Sequence, residues 1–183
     1  MTKPAASPAP GTTPAGAAAT ISPTVPDALQ RVLAAEHAAV YGYPVAGVRL
    51  TERGQVQHAR EFESAHRQVR DDLMAQLTGL GLTPVAAQPV YRPPEAKTET
   101  APATRTEPRT GTDPVAAVRS AVLLEEGCAD AYRYLLTAAV AAGGKQLAVR
   151  TQALSGLATA AAAATTWRAL VTPAKPTVAF PGL

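Results

Sequence analysis

The stretch Leu29-Gln30-Arg31-Val32-Leu33-Ala34-Ala35-Glu36-His37-Ala38-Ala39-Val40-Tyr41-Gly42-Tyr43 decides how the whole chain reads. Leu29, Leu33, Glu36, Val40 and Tyr43 recur at alternating steps of four and three, and Gly47 and Leu50 continue the row. That spacing places them on one face of an α-helix. Pro26 suits a first helical turn, with Thr24 as its candidate cap. The face is apolar with one exception: Glu36 stands where a core residue belongs. Gly47 adds no side chain, so the row is weakest there. Pro44 frees the Val40 carbonyl and should bend the helix just past Glu36.

Three more rows follow. After a break around Thr51–Gly54, helix 2 carries Ala59, Phe62, His66, Val69, Leu73 and then Leu77 or Leu80, ending at Gly79–Gly81. Helix 3 opens on Asp113 and Pro114 and carries Val115, Val118, Val122, Glu125, Ala129, Tyr132 and Leu136. Gly143–Gly144 stops it. Helix 4 runs from about Lys145 to Val171 on Leu147, Leu154, Leu157, Ala161, Ala164, Trp167 and Val171. Rows with this spacing pack at shallow angles in a four-helix bundle. Residues 89–112 contain Pro93, Pro94, Pro102 and Pro108 among alternating charges, a loop too long for a hairpin. The expected fold is all-α: a ferritin-like four-helix bundle over 26–172, two antiparallel hairpins joined by a long crossover linker. Helices 2 and 3 are then parallel, and the linker travels the length of the bundle.

Composition bounds the rest. The chain has 183 residues, 17 Lys+Arg against 14 Asp+Glu, and a net charge of +3. Basic residues are interleaved with acids, so no nucleic-acid partner is expected. A single cysteine excludes a disulfide framework and a cysteine-based zinc site. Residues 1–25 are small, polar or proline, and read as a disordered tail rather than a secretory signal. No segment reaches the roughly 18 apolar residues of a membrane span. A cytoplasmic location is expected, with a homo-oligomer (a dimer) or another protein as partner. The proline-rich stretch 173–183 should be extended, with Phe180 and Leu183 free to dock on a groove.

Glu36, His66 and Glu125 interrupt three otherwise apolar rows. A lone carboxylate in a core must be paired, protonated or bound to a metal. Glu36 lies about 15 residues before the first hairpin turn and His66 about 15 after it, which at about 1.5 Å per residue puts them at one height. Glu63-Ser64-Ala65-His66 is an E-x-x-H whose two ends could share one ion. Carboxylate-bridged bundle sites take a Glu from each of two helices and an E-x-x-H from each of the other two. Glu36, Glu63, His66 and Glu125 supply half of that. The second E-x-x-H belongs near residue 162, where the chain reads Ala158-Thr159-Ala160-Ala161-Ala162-Ala163-Ala164-Thr165. One ion of Fe, Mn or Zn on the four residues is chemically reasonable. The alternative is a metal-free hydrogen-bonded cluster, with His66 protonated between two carboxylates. Glu63 could instead pair with Arg60 or Arg67 on the surface.

The run Leu33–Tyr43 resembles the opening helix of an actinobacterial, alanine-rich, ferritin-like family of unknown function. Ala65-His66-Arg67 with Arg70-Asp71, Leu124-Glu125-Glu126-Gly127 and Ala179-Phe180-Pro181-Gly182-Leu183 are similar to further parts of it. The resemblance spans about 27–183 and implies a ferritin-like bundle with no established activity. Ferritins, rubrerythrins and related oxidases of the wider superfamily use two irons.

Of the other polar residues, His37 sits one position off its row and should be half-exposed, and His58 should be solvated. Tyr41, Tyr43 and Tyr132 should pack in the core with hydroxyls anchored to carboxylates. Cys128 reads as a buried hydrophobe. Glu126, Asp130 and Arg133 read as a solvated face. Three functions remain open: a non-catalytic interaction module with a degenerate half-site, a mononuclear metal oxidoreductase, and a small-molecule pocket beside Ala160–Ala164.

Overall fold

The computed structural model describes residues 24–91, 113–144 and 146–179. The readings made for the N-terminal tail, for most of the crossover linker and for Phe180 and Leu183 lie outside these residues. The described residues form four helices: α1 (Val25–Gly47), α2 (Arg53–Gly79), α3 (Pro114–Ala141) and α4 (Leu147–Val171). None of the four is long and apolar enough to cross a membrane.

Local chemistry sets the ends. The Thr24 hydroxyl accepts from the Asp27 N–H at the start of α1, and Asp113 accepts from the Val115 N–H at the start of α3. Both helices carry proline in the first turn. α2 closes on Gly81, whose φ of +73° lets the Leu82 N–H reach back to the Leu77 carbonyl at 3.0 Å. Gly143 and Gly144, at φ +64° and +54°, make the turn between α3 and α4. α1 continues through Pro44 to Gly47.

α1 packs against α2 and α3, and α3 against α4. Two core clusters fill the bundle. One contains Leu29, Leu33, Leu73, Leu77 and Leu135; the other contains Tyr43, Val118, Ala121, Ala160 and Trp167. α1 and α3 are antiparallel, since Tyr43 meets Glu125 and Glu36 meets Tyr132. α2 therefore ends at the opposite end of the bundle from the start of α3. The chain leaving α2 runs back along α1. Gln30 bonds Thr83 and Val85, His37 meets Val85, and the Tyr41 and Tyr91 rings pack at a tilt, 5.4 Å apart. This stretch buries His37, which the sequence left half-exposed.

Helix 4 corrects the expected row. Leu147 and Leu154 are exposed at 75% and 53%, while Ala153, Ala160, Ala163, Ala164 and Trp167 are buried. Small side chains face inward because α3 lies close: a Cβ on Gly156 would stand 2.2 Å from the Tyr132 ring. Val115, expected on the α3 row, is also exposed, because it sits in the first turn, beyond the packed length.

Gly156→Ala should destabilise the protein by about 1–3 kcal/mol through overpacking, despite alanine's helix preference. Gly127, mid-helix with nothing within 4 Å of a built Cβ, is the control. Gly127→Ala should raise stability by about 0.5–1 kcal/mol. Urea denaturation of both variants reads the two signs.

Candidate functional site

Three helices deliver one ionisable residue each to the middle of the bundle. Glu36 comes from α1, His66 from α2 and Glu125 from α3. Glu36 and Glu125 are each 1% exposed and His66 is 9% exposed. His66 lies between the two acids, with Nδ1 2.6 Å from Glu36 Oε2 and Nε2 3.0 Å from Glu125 Oε1. An imidazole facing a carboxylate oxygen at both nitrogens is best satisfied with a proton on each, donating both ways.

Aromatic hydroxyls complete the network. Tyr43 donates to Glu125 Oε1, and Tyr132 donates to Glu36 Oε1 at 3.1 Å. Trp167 on α4 donates its indole N–H to the Tyr43 hydroxyl at 3.0 Å. The Tyr43 ring stacks on the His66 ring at 5.5 Å.

The electrostatics follow from burial and partners. Burial works against a charged His66, but the hydrogen bonds and charges of Glu125 and Glu36 outweigh it and push the imidazole up to about 10. Burial, then the nearby Glu125, holds the Tyr43 phenol far above its ordinary value. Burial and Glu36 do the same for Tyr132. Both phenols therefore remain donors. Cys128 is raised by burial first, then by Glu36 and Glu125, so it stays a thiol and is a poor nucleophile.

Glu63 is not brought to this cluster. It accepts from Arg67 one turn on, at 2.5 Å and 3.0 Å. Cys128, which the sequence reading passed over as a ligand, does arrive. Its signal was its position three residues after Glu125, the same spacing as E-x-x-H. One ligand atom from each of Glu36, His66 and Cys128 lies within 4.8 Å of the others. The α4 level opposite the acids holds Ala160 and Ala163, neither of which can ligate. The residues thus do not fit a two-metal centre. They fit one ion only if His66 gives up a proton and turns a nitrogen from carboxylate to metal. Tyr41, expected in the core on a carboxylate, is instead half-exposed and packs at a tilt against Tyr91 outside the site, because the chain leaving α2 covers that face of α1. His58 is exposed, edge-on to Trp167. Glu126, Asp130 and Arg133 are not simply solvated, because Arg168 pairs with Glu126 at 2.7 Å, and Arg31 and Arg133 both reach Asp130.

A family profile described as a domain of unknown function, DUF4439, matches residues 28–183. The chain belongs to the DUF4439 family. A solved structure similar to this DUF4439 chain is that of a conserved hypothetical protein, rv2844, from Mycobacterium tuberculosis. It is 26% identical, covers 80% of this chain and 96% of its own, and superposes with a TM-score of 0.64. No curated protein matches this DUF4439 member.

Because the folded-state value of His66 lies above its ordinary 6.5, the stability it adds is fully present below pH 6.5 and is lost as pH rises through about 10. NMR of ring-labelled histidine should show His66 still protonated at pH 8. Thermal unfolding should weaken between pH 7 and 10, more steeply than in His66→Gln. Glu36→Ala strands the Tyr132 hydroxyl and the His66 Nδ1–H. It should cost about 3–5 kcal/mol in chemical denaturation.

Proposed function

We propose that this chain is a ferritin-like bundle that has lost the two-metal centre of that architecture and works as a non-catalytic binding module. The observation that carries the reading is the make-up of α4 opposite the acids, Ala160 and Ala163 in place of a carboxylate and a histidine. Three acids and one histidine, with Glu63 turned to Arg67, are too few ligands for a bridged pair of ions. The cluster serves instead as a polar clamp. It ties α1, α2 and α3 at one height while α4 joins through Trp167 alone of the network's hydrogen bonds.

A second reading has its own support. The convergence of Glu36, His66 and Cys128 within 4.8 Å suits a single divalent ion, with Glu125 beside it. When bound, an ion of Fe or Mn would supply redox chemistry and Zn would supply Lewis acidity. The chain's own residues would hold it and shed a proton from His66.

Elemental analysis after purification without chelator, and again after exposure to Fe(II), Mn(II) and Zn(II), separates the two. The binding-module reading expects well under one equivalent of each. One equivalent retained through gel filtration, and lost in His66→Ala but kept in Glu63→Gln, would replace it with the mononuclear site.

A further inference from the structure

α2 and α4 are not closely packed, unlike α1 on α2 and α3 and α3 on α4. Their side chains meet at two places. Gln76 and Gln152 exchange amide hydrogen bonds at 3.2 Å and 2.9 Å, and Phe62 and His58 stand edge-on to Trp167 at 6.0 Å and 6.4 Å. Between these two contacts lies a cleft of about 290 Å³. Glu36, His66, Glu125, Cys128 and Tyr132 form its floor. The volume sits near the lower end of the range for small-molecule sites, about 300–1,000 Å³.

We propose that this cleft binds a compact organic ammonium ion, with the ammonium group on Glu125 and a hydrocarbon body against the helix walls. The proposal rests on reading the chain as a binding module. Its first support is a carboxylate oxygen to which no protein group among the described residues donates. Glu125 is 1% exposed, and its Oε1 accepts from both Tyr43 and His66. Among the described residues nothing donates to its Oε2. The buried side-chain oxygen left without any partner among the described residues is Gln55 Oε1, so Glu125 Oε2 keeps contact with the cleft and can take a donor from it. A ligand N–H in the cleft would supply one.

The second support is the balance of charge. Glu36, Glu125 and Asp72 line the cleft against His66 alone, with no Lys or Arg among the lining residues. His66 has both ring nitrogens engaged by carboxylates, so it has no donor left for an anion. A neutral donor would gain the hydrogen bond without the charge attraction. The walls decide the rest. Val69, Leu73, Ala160 and Ala163 offer an alkyl body apolar surface that a bare inorganic ion would leave uncovered.

The test titrates the full chain at pH 7.5 with cyclohexylammonium, cyclohexanol and cyclohexanecarboxylate, read by calorimetry and ligand-observed NMR. The ammonium should saturate one site. The alcohol should bind at least tenfold more weakly and the carboxylate not at all. Glu125→Gln should weaken ammonium binding at least tenfold. Thr159→Trp, at an exposed rim position away from the cluster, should block it while leaving the fold intact, and this variant decides the matter if Glu125→Gln unfolds. No saturable ammonium binding, equal binding of the alcohol, or unchanged affinity in Thr159→Trp would overturn the site. Elemental analysis of the same sample keeps the two questions apart. Bound metal defeats the binding-module reading, whereas a failed titration of metal-free protein defeats the ammonium site alone.

Discussion

An imidazole held between two buried carboxyl groups is the constraint on which the rest of the bundle turns. Burying one such acid alone is costly, and burying two side by side is worse. His66 makes the arrangement tenable by answering Glu36 at one nitrogen and Glu125 at the other. The geometry leaves little freedom, because each helix must present its residue at the same height. A slip of one turn in α1 or α2 would move its group by about 5.4 Å and strand both acids. The cluster therefore acts as a register pin as much as a site. The surrounding aliphatic core, largely leucine, valine and alanine, is far more tolerant of sliding.

The fourth helix explains why the cluster is reachable at all. Its inward face is mostly alanine, and Gly156 lets the Tyr132 ring lie directly against it. Small side chains let α4 approach α3 closely, which leaves the α2 side loosely filled. Trp167 and the Gln76–Gln152 pair bridge the gap at two levels, and a cleft remains between them. A larger residue at 160 or 163 would have closed the core, and a carboxylate there would have balanced the acids through a metal. The chain has neither. The similar fold of rv2844 shows that this architecture is shared.

Much of this was legible before any coordinates. Thr24, Asp113, Pro26 and Pro114 mark helix starts by local hydrogen bonding and backbone restriction, which need no partner element. Counting residues from the first turn places Glu36 level with His66, because helix rise is constant. The anchoring of Tyr43 and Tyr132 follows from the cost of an unpaired buried hydroxyl. Several side chains lie elsewhere than their rows suggest, and three of them share one reason. His37 is covered by the chain leaving α2, Leu154 is turned outward by the close approach of α3, and of the two placings open to Glu63 the pair with Arg67 is the one formed. Each outcome depends on how far one helix is rotated against its neighbour. A row of alanine, leucine and glycine does not specify that rotation, since more than one stripe is apolar enough to bury.

The amino-acid sequence by itself determined four helices, their ends, their pairing into two hairpins and the three polar intrusions at mid-height. Those properties come from periodicity, capping and constant rise, all of them local. Only the tertiary structure decided that both nitrogens of His66 are used, that Cys128 joins the acids while Glu63 leaves them, and that a cleft opens beside α4. Those depend on the rotation and separation of whole helices, which emerge when side chains from distant parts of the chain compete for the same volume.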